Sequence, residues 1–268
     1  MKIHPTAVVS SSAHLADDVD IGPWAIVGDD VVLGAGCVVG PRATLEGPLV
    51  AGERNIFGCG VVIGGSPQDF SFDPTRKTGV RIGSGNTFRE YVTIHRGTKE
   101  GSETVVGNEC YLMVGAHLGH NVTLGNRVIL ANNCLLAGYV NVGDGAVVGG
   151  ASVFHQFLRI GRLAMIGGGA RFNKDIPPFT TAETRNFVVG VNLVGLRRAG
   201  LKPGVRDEIR RAFKLLYRSG MSFGQALEGA KLQDWGTEAR ELFDFVAASK
   251  RGVCRLRKGG GEPDEVNT

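Results

Sequence analysis

The stretch "HLGHNVTLGNRVILANNCLLAGYVNVG" (His117–Gly143) decides how this chain folds. Every sixth residue from Leu118 is aliphatic: Leu118, Leu124, Leu130, Leu136 and Val142. Neither a helix, with a period of 3.6, nor an ordinary strand, with a period of two, produces that spacing. Followed outward, the register runs from Val106 through Phe154, Ile160 and Ile166 to Phe172 without a polar lead. Twelve successive apolar positions in a chain that is 43% hydrophobic would arise by chance about once in 25,000 trials per register. An earlier run steps by sixes from Val9 to Ile63, with Gly directly behind most leads, and a short one covers Ile82, Phe88 and Ile94.

A period of six predicts a parallel β-helix. Three short flat segments make one coil of about eighteen residues, and each inward lead stacks on the next at the ~4.8 Å strand spacing. The 41 glycines, about twice the usual ~7% frequency, fit a chain that keeps turning tight corners. Gly and Asn are expected there because they tolerate positive φ. A β-sandwich would alternate with period two instead. Two stretches break the ruler. Residues 65–81, opening "GSPQDFSFDPTRKTGV", are polar with two prolines, and residues 96–105, "RGTKEGSETV", put Glu100 at a lead position. Both are expected to leave the coil as loops, which commonly carry function on a rigid scaffold.

The predicted organisation is an all-β hexapeptide-repeat β-helix over 1–184, a small α-helical C-terminal domain over 185–258, and a disordered tail over 259–268. The double proline Pro177–Pro178 ends the repeat, and "TTAETRNFVVGVNLVGLRRAGLKPG" (Thr180–Gly204) reads as a transition. Val205, Ile209, Ala212, Phe213 and Leu216 then share one helical face. Ser222 and Gln225 have capping-box spacing, and a last helix is expected from a Thr237 cap to Gly252.

Composition narrows the function classes. A net charge of +4 is too small to argue for nucleic acid. Five cysteines, odd in number and without a C-x-x-C pair, read as reduced thiols of a cytoplasmic protein. The start "MKIHPTAVVS" has no apolar signal core, and no apolar run approaches the ~20 residues of a membrane span. A prism filled by its own leads has no internal pocket, so chemistry is expected outside, in a cleft shared with a second subunit; a closed homotrimer would repeat it symmetrically. Four of the six histidines, His95, His117, His120 and His155, fall on adjacent coils. His120 comes two residues after the lead Leu118 and is expected at a corner.

The segments "SPQDF", "VTIHRGT", "AHLGHNVTLGNRVILANNCLLAGYVNV", "VFHQF", "DIPPF" and "GVNLVGLRRAG" together resemble the acyl-carrier-protein–UDP-N-acetylglucosamine O-acyltransferases, which begin lipid A synthesis. The resemblance spans about residues 3 to 255 and implies a left-handed β-helix. It also implies transfer of a 3-hydroxyacyl group from acyl carrier protein to the sugar 3-hydroxyl of UDP-N-acetylglucosamine, with no cofactor and no metal. In that likeness His120 is the general base, as an imidazole with a pKa near 6.5 allows, and the Gly138 N–H meets the oxyanion. Gln68, Asp69, His95, His117, His155 and Gln156 match positions lining the sugar, acyl or nucleotide site, and Asn192 and Arg198 match positions near the uridine and diphosphate. Gly168 matches the end of the acyl groove, implying a donor nearer fourteen carbons than ten. Arg197, Arg206, Arg210, Arg211, Lys214 and Arg218 offer a basic surface to the acidic carrier protein.

Several positions depart from the family's pattern. Its carboxylate after the catalytic histidine is Asn121 here, an amide that can orient a ring but cannot balance its charge. A lysine after the "QD" pair is Ser71, a histidine after "LAG" is Tyr139, an acidic residue is Val194, and an arginine is Ala199. Asn121 and Tyr139 are candidates to orient His120. Three other readings compete: an acyltransferase for a different UDP-amino sugar, a binding homologue without turnover, and a zinc carbonic anhydrase ligated by His117, His120 and one more histidine.

Overall fold

The computed structural model describes residues 1–257, so the tail expected over 259–268 lies outside the described residues. Strands of mostly two to four residues form three long sheets of 12, 9 and 8 strands, the faces of a left-handed triangular prism. The first face starts at Lys2–Ile3, the second at Val8–Val9 and the third at His14–Leu15. Strands on one face pair in parallel at a spacing of eighteen: His117 with Leu135, and Leu135 with Val153. That is three sixfold steps per coil. The leads from Ile21 to Phe172 lie at or below 3% exposure wherever the ruler holds, among them Leu118, Leu124, Leu130 and Leu136. Within the prism Phe57 stacks on Phe88 at 5.3 Å and Phe154 on Phe172 at 5.5 Å. Each buried lead contributes roughly 1.5–3 kcal/mol by leaving water.

The corners correct one expectation. At the regular corners from Trp24 to Gly169 the left-handed position is the third residue after the lead, and side chains of many kinds occupy it. Trp24 (φ 61°), Arg42 (57°), Tyr91 (60°) and Leu163 (53°) adopt it alongside Gly115 (68°). Inter-coil hydrogen bonds and stacking hold the turn against the steric cost to an L-residue. The glycine directly behind the lead serves a different end. A Cβ on Gly34 would sit 2.7 Å from the carbonyl carbon of Gly52, and one on Gly40 would sit 2.8 Å from the Phe57 oxygen. Glycine is used there because the next coil's backbone passes too close for a side chain.

Past Phe172 the chain differs from the expected transition and all-helical end. Thr180–Glu183 adds another parallel strand to the first face, and Phe187–Val191 folds back antiparallel on it. After the helices, Arg255–Leu256 pairs with that hairpin. The alternating burial of Phe187–Val191 shows a period-two signal hidden in a short apolar run. Four helices follow: α1 (Leu193–Arg198), missed in the sequence; α2 (Pro203–Arg218); α3 (Phe223–Ala230); and α4 (Thr237–Ala247). Ile209, Ala212, Phe213 and Leu216 of α2 are buried, and Val205 is only partly so. The Ser222–Gln225 capping box is formed. Thr237 is a first-turn residue rather than the cap, which is Gly236, and α4 stops at Ala247, well before Gly252.

Candidate active site

One edge of the prism, where the second face turns into the third, carries almost every irregular feature. On successive coils this edge holds the 65–81 excursion, the 96–105 excursion, the pair His120–Asn121, the pair Gly138–Tyr139 and the pair Gln156–Phe157. Sheet hydrogen bonds run between coils, so a corner can lengthen without disturbing the faces. A cavity of about 350 Å³ opens there, lined among others by Gln68, His95, His117, His120, Gly138 and Gln156. Leu135 and Val153, outward-facing on the second face, give it an apolar wall.

The ring of His120 is held on one side by Asn121, whose Oδ1 lies 3.1 Å from Nδ1. Its other side faces Gly138: an atom at the Cβ position of that glycine would lie 2.5 Å from Cε1 and 2.6 Å from Nε2. Only glycine leaves room for the imidazole. The Gly138 N–H, like others two residues after a lead, takes no part in the inter-coil ladder and has no acceptor among the described residues. The edge of the Tyr139 ring meets the His120 ring at 5.3 Å, and Tyr139 stacks on Phe157 at 4.8 Å.

The other two pocket histidines are committed to the protein. His95 Nδ1 donates to the Ser66 carbonyl at 2.6 Å, and His117 Nδ1 lies 2.7 Å from Thr93 Oγ1. Their rings meet edge to face at 5.2 Å. Burial first, and then the neighbouring His95, push the His117 pKa down to about 4, so it is neutral at pH 7. Among the described residues no group of three His, Cys, Asp or Glu side chains is arranged to hold a metal ion. The zinc reading therefore has no ligand set there.

Asp69, on the first excursion, accepts from the Ser71 N–H (2.9 Å) and hydroxyl (2.8 Å). Those bonds, and to a lesser extent His120, hold its carboxyl below the usual range. Ser71, where the family pattern has lysine, thus acts on Asp69. His155 is exposed at the same edge with Arg251 Nη2 3.2 Å from its Nδ1, and Arg251 Nη1 donates to the Gln156 carbonyl at 3.0 Å. Arg251 was not foreseen, because nothing local predicts that the chain returns to the prism after α4. Asp69 and His155 adjoin this cavity without lining it, and three further matched residues lie elsewhere. Gly168 is exposed at the edge between the first and second faces, beside the Gly150 carbonyl (a Cβ would lie 3.3 Å from it). Asn192 caps α1 by accepting from the Gly195 N–H and donates to the Leu163 carbonyl at 2.9 Å. Arg198 is exposed in the last turn of α1, beside Arg197.

On α2, at 100° per residue, Arg206, Arg210, Lys214, Arg218 and Arg211 fall within an arc of about 140°, next to the buried face. Arg211 also lies over the Trp235 ring, 5.5 Å from its centroid. Arg211, Lys214 and Arg218 line a shallow groove with Trp235.

The comparisons with known proteins agree over nearly all of the chain. The family model described as UDP N-acetylglucosamine O-acyltransferase, domain 2, matches residues 175–254, and bacterial transferase hexapeptide (six repeats) matches residues 103–138. The acyl-[acyl-carrier-protein]–UDP-N-acetylglucosamine O-acyltransferase of Syntrophobacter fumaroxidans is 41% identical over 259 residues, 95% of this chain and 100% of its own. That of Xanthomonas axonopodis pv. citri is 43% identical over 257 residues, covering 94% and 97%. Among solved structures, the UDP-N-acetylglucosamine acyltransferase from Campylobacter jejuni superposes with a TM-score of 0.90 at 36% identity, covering 96% of this chain and all of its own. This chain, with its sixfold ruler, its loaded edge and its C-terminal helices, belongs to the acyl-[acyl-carrier-protein]–UDP-N-acetylglucosamine O-acyltransferase family.

Proposed function

We propose that the protein transfers a 3-hydroxyacyl group from acyl carrier protein to the 3-hydroxyl of UDP-N-acetylglucosamine, the first step of lipid A synthesis, with His120 as general base. The observation that carries this reading is the His120 ring, held through Nδ1 by Asn121 with its Cε1–Nε2 edge over the Gly138 backbone. Nε2 takes the proton of the sugar hydroxyl as its oxygen attacks the thioester carbonyl. The resulting oxyanion accepts from the uncommitted Gly138 N–H. Collapse breaks the carbon–sulfur bond, and the imidazolium returns its proton to the leaving phosphopantetheine thiolate. His117 stays neutral and adds no charge to the pocket, so it offers hydrogen bonding and shape.

Gln68, Asp69, His95, His155 and Gln156 bind around the reacting sugar and acyl group, and Asn192 and Arg198 hold the nucleotide. The diphosphate suits Arg198, whose planar fork forms paired charged hydrogen bonds. These last two stand away from the His120 cavity in one chain, which supports a homotrimer whose clefts are completed by a neighbouring copy. Phe70 at the tip of the first excursion is wholly solvent-exposed, and Ile26 and Leu135 are exposed on the second face, as a subunit contact requires. No described helix is long and apolar enough to cross a membrane, in keeping with a cytoplasmic enzyme. The bare edge at Gly168 leaves space for a donor nearer fourteen carbons than ten, and Gly168→Met is expected to shift preference to shorter donors.

Mass spectrometry of products formed from 3-hydroxyacyl carrier protein and a panel of UDP-sugars tests the reading. O-acylated UDP-N-acetylglucosamine is expected. An amide formed only on a 3-amino sugar, binding without turnover, or a His120→Ala variant as active as wild type would overturn it.

A further inference from the structure

We infer that Thr98 is a positioning residue: by fixing which end of the Asn121 amide faces His120, it determines which ring nitrogen is free to take a proton. The inference rests on His120 being the base. A carboxylate beside a histidine presents only acceptors, but an amide has an acceptor end and a donor end. With the oxygen toward the ring, Nδ1 carries the proton and Nε2 is bare. With the nitrogen toward the ring, the tautomer reverses, and Nε2 over Gly138 is already protonated and cannot accept.

Thr98 removes that ambiguity. Its backbone N–H, which can only donate, lies 3.1 Å from Asn121 Oδ1, and its Oγ1 lies 2.9 Å from the same oxygen. The Tyr139 hydroxyl, 3.0 Å from Thr98 Oγ1, completes a chain in which the phenol donates to Thr98 and Thr98 donates to Asn121. A reversed amide would set its N–H₂ against the Thr98 N–H, donor against donor. Thr98 is 7% exposed, so water does not relieve such a clash. The other end of the same excursion fixes the Asn121 backbone, whose N–H donates to the buried Thr104 Oγ1 at 2.8 Å. The 96–105 loop thus acts on the base through an amide standing where the family pattern has a carboxylate.

The test is a mutant cycle on the full-length protein, read as kcat and KM for UDP-N-acetylglucosamine with 3-hydroxyacyl carrier protein. Thr98→Val is expected to lower kcat about tenfold, the weight of one buried hydrogen bond, with KM within about twofold; Thr98→Ser restores it. In an Asn121→Asp background, which has no donor end, Thr98→Val should change kcat less than about twofold. The carboxylate also stabilises the imidazolium, so Asn121→Asp moves the acidic limb of the pH–rate profile upward. An equal loss in both backgrounds means that Thr98 merely supports the loop and overturns the inference, as does no loss in the Asn121 background. Should Thr98→Val fail to fold, Tyr139→Phe, expected to cost two- to fivefold, is read in the same two backgrounds. Nitrogen-15 NMR of labelled histidine gives an independent readout, because a wild-type His120 protonated on Nε2 would also end the inference. A fully active His120→Ala removes the base reading itself, and this inference with it.

Discussion

Replacing Gly138 by alanine tests the geometry at the point where it is tightest. The backbone of Gly138 is not in the left-handed region, so an alanine meets no conformational penalty of its own. Its Cβ, however, would lie 2.5 Å from Cε1 and 2.6 Å from Nε2 of His120, and 3.0 Å from Nδ1. Carbon atoms rest at about 3.5–4.0 Å, so the ring must retreat by about 1 Å. The 3.1 Å bond from Nδ1 to Asn121, on the other side of the ring, cannot keep its geometry through such a movement. A displacement of that size at a reacting group costs about 10²-fold, or about 2.7 kcal/mol of barrier. We expect kcat/KM for acyl transfer to fall about a hundredfold, measured by mass-spectrometric quantitation of acylated UDP-N-acetylglucosamine. The melting temperature should move little, because the ring yields toward the cavity. A Gly138→Ala enzyme that keeps more than about a third of wild-type kcat/KM, folded as before, would refute the placement of the imidazole over this glycine.

Other outcomes follow from the same geometry. Gly40→Ala is expected to cost about 1–3 kcal/mol in urea unfolding, because its Cβ would meet the Phe57 oxygen at 2.8 Å and neither backbone can yield. By contrast Gly229→Ala, inside α3 with nothing within 4 Å of the new atom, should stabilise by about 0.5–1 kcal/mol and leave activity alone. His117 makes stability depend on pH. The unfolded ring titrates near 6.5 and the native ring near 4, so the unfolded chain binds the extra proton between those values and stability falls as the solution is acidified through them. The full difference would be about 3.4 kcal/mol at ~1.36 kcal/mol per pH unit. Solvent contact of the partly buried ring reduces it, and denaturant titrations at pH 7 and pH 4 should differ by about 1–2 kcal/mol more in wild type than in His117→Gln. Lys214→Glu on α2 should raise KM for the acyl carrier protein about fivefold with kcat unchanged, and added salt should raise the wild-type KM in the same way.

The prism was legible because its signal repeats: one apolar lead every six residues, each seen again a coil later as a buried neighbour. The first excursion was legible because polar residues and two prolines interrupted that register, the second because Glu100 stood at a lead position, and His120 fell at a corner by simple phase. What the spacing did not reveal is why particular corner residues are there. Glycines behind the leads looked like turn formers, whereas Gly34 and Gly40 answer the approach of the next coil, and Trp24 or Leu163 takes the left-handed turn instead. Within the cavity, His95, His117, His120, Gly138, Gln68 and Gln156 came together as their motifs suggested. Thr98 stayed hidden inside a loop whose return path no period describes, and Arg251 reaches His155 only after the chain has passed through four helices. The hairpin at Phe187–Val191 and helix α1 were missed because five or six residues are too few to display a period against a mostly apolar background.

The concentration of loops along a single edge has a consequence for how such a molecule can change. Lengthening a loop there leaves every inter-coil ladder intact and costs only closure entropy, about 0.6 kcal/mol for each doubling. The faces behave as a fixed chassis, and the edge as a rail on which chemical groups are mounted one per coil. New acceptors or donors can then be tried by altering the rail's fittings, while the frame that keeps them in line goes on folding as before.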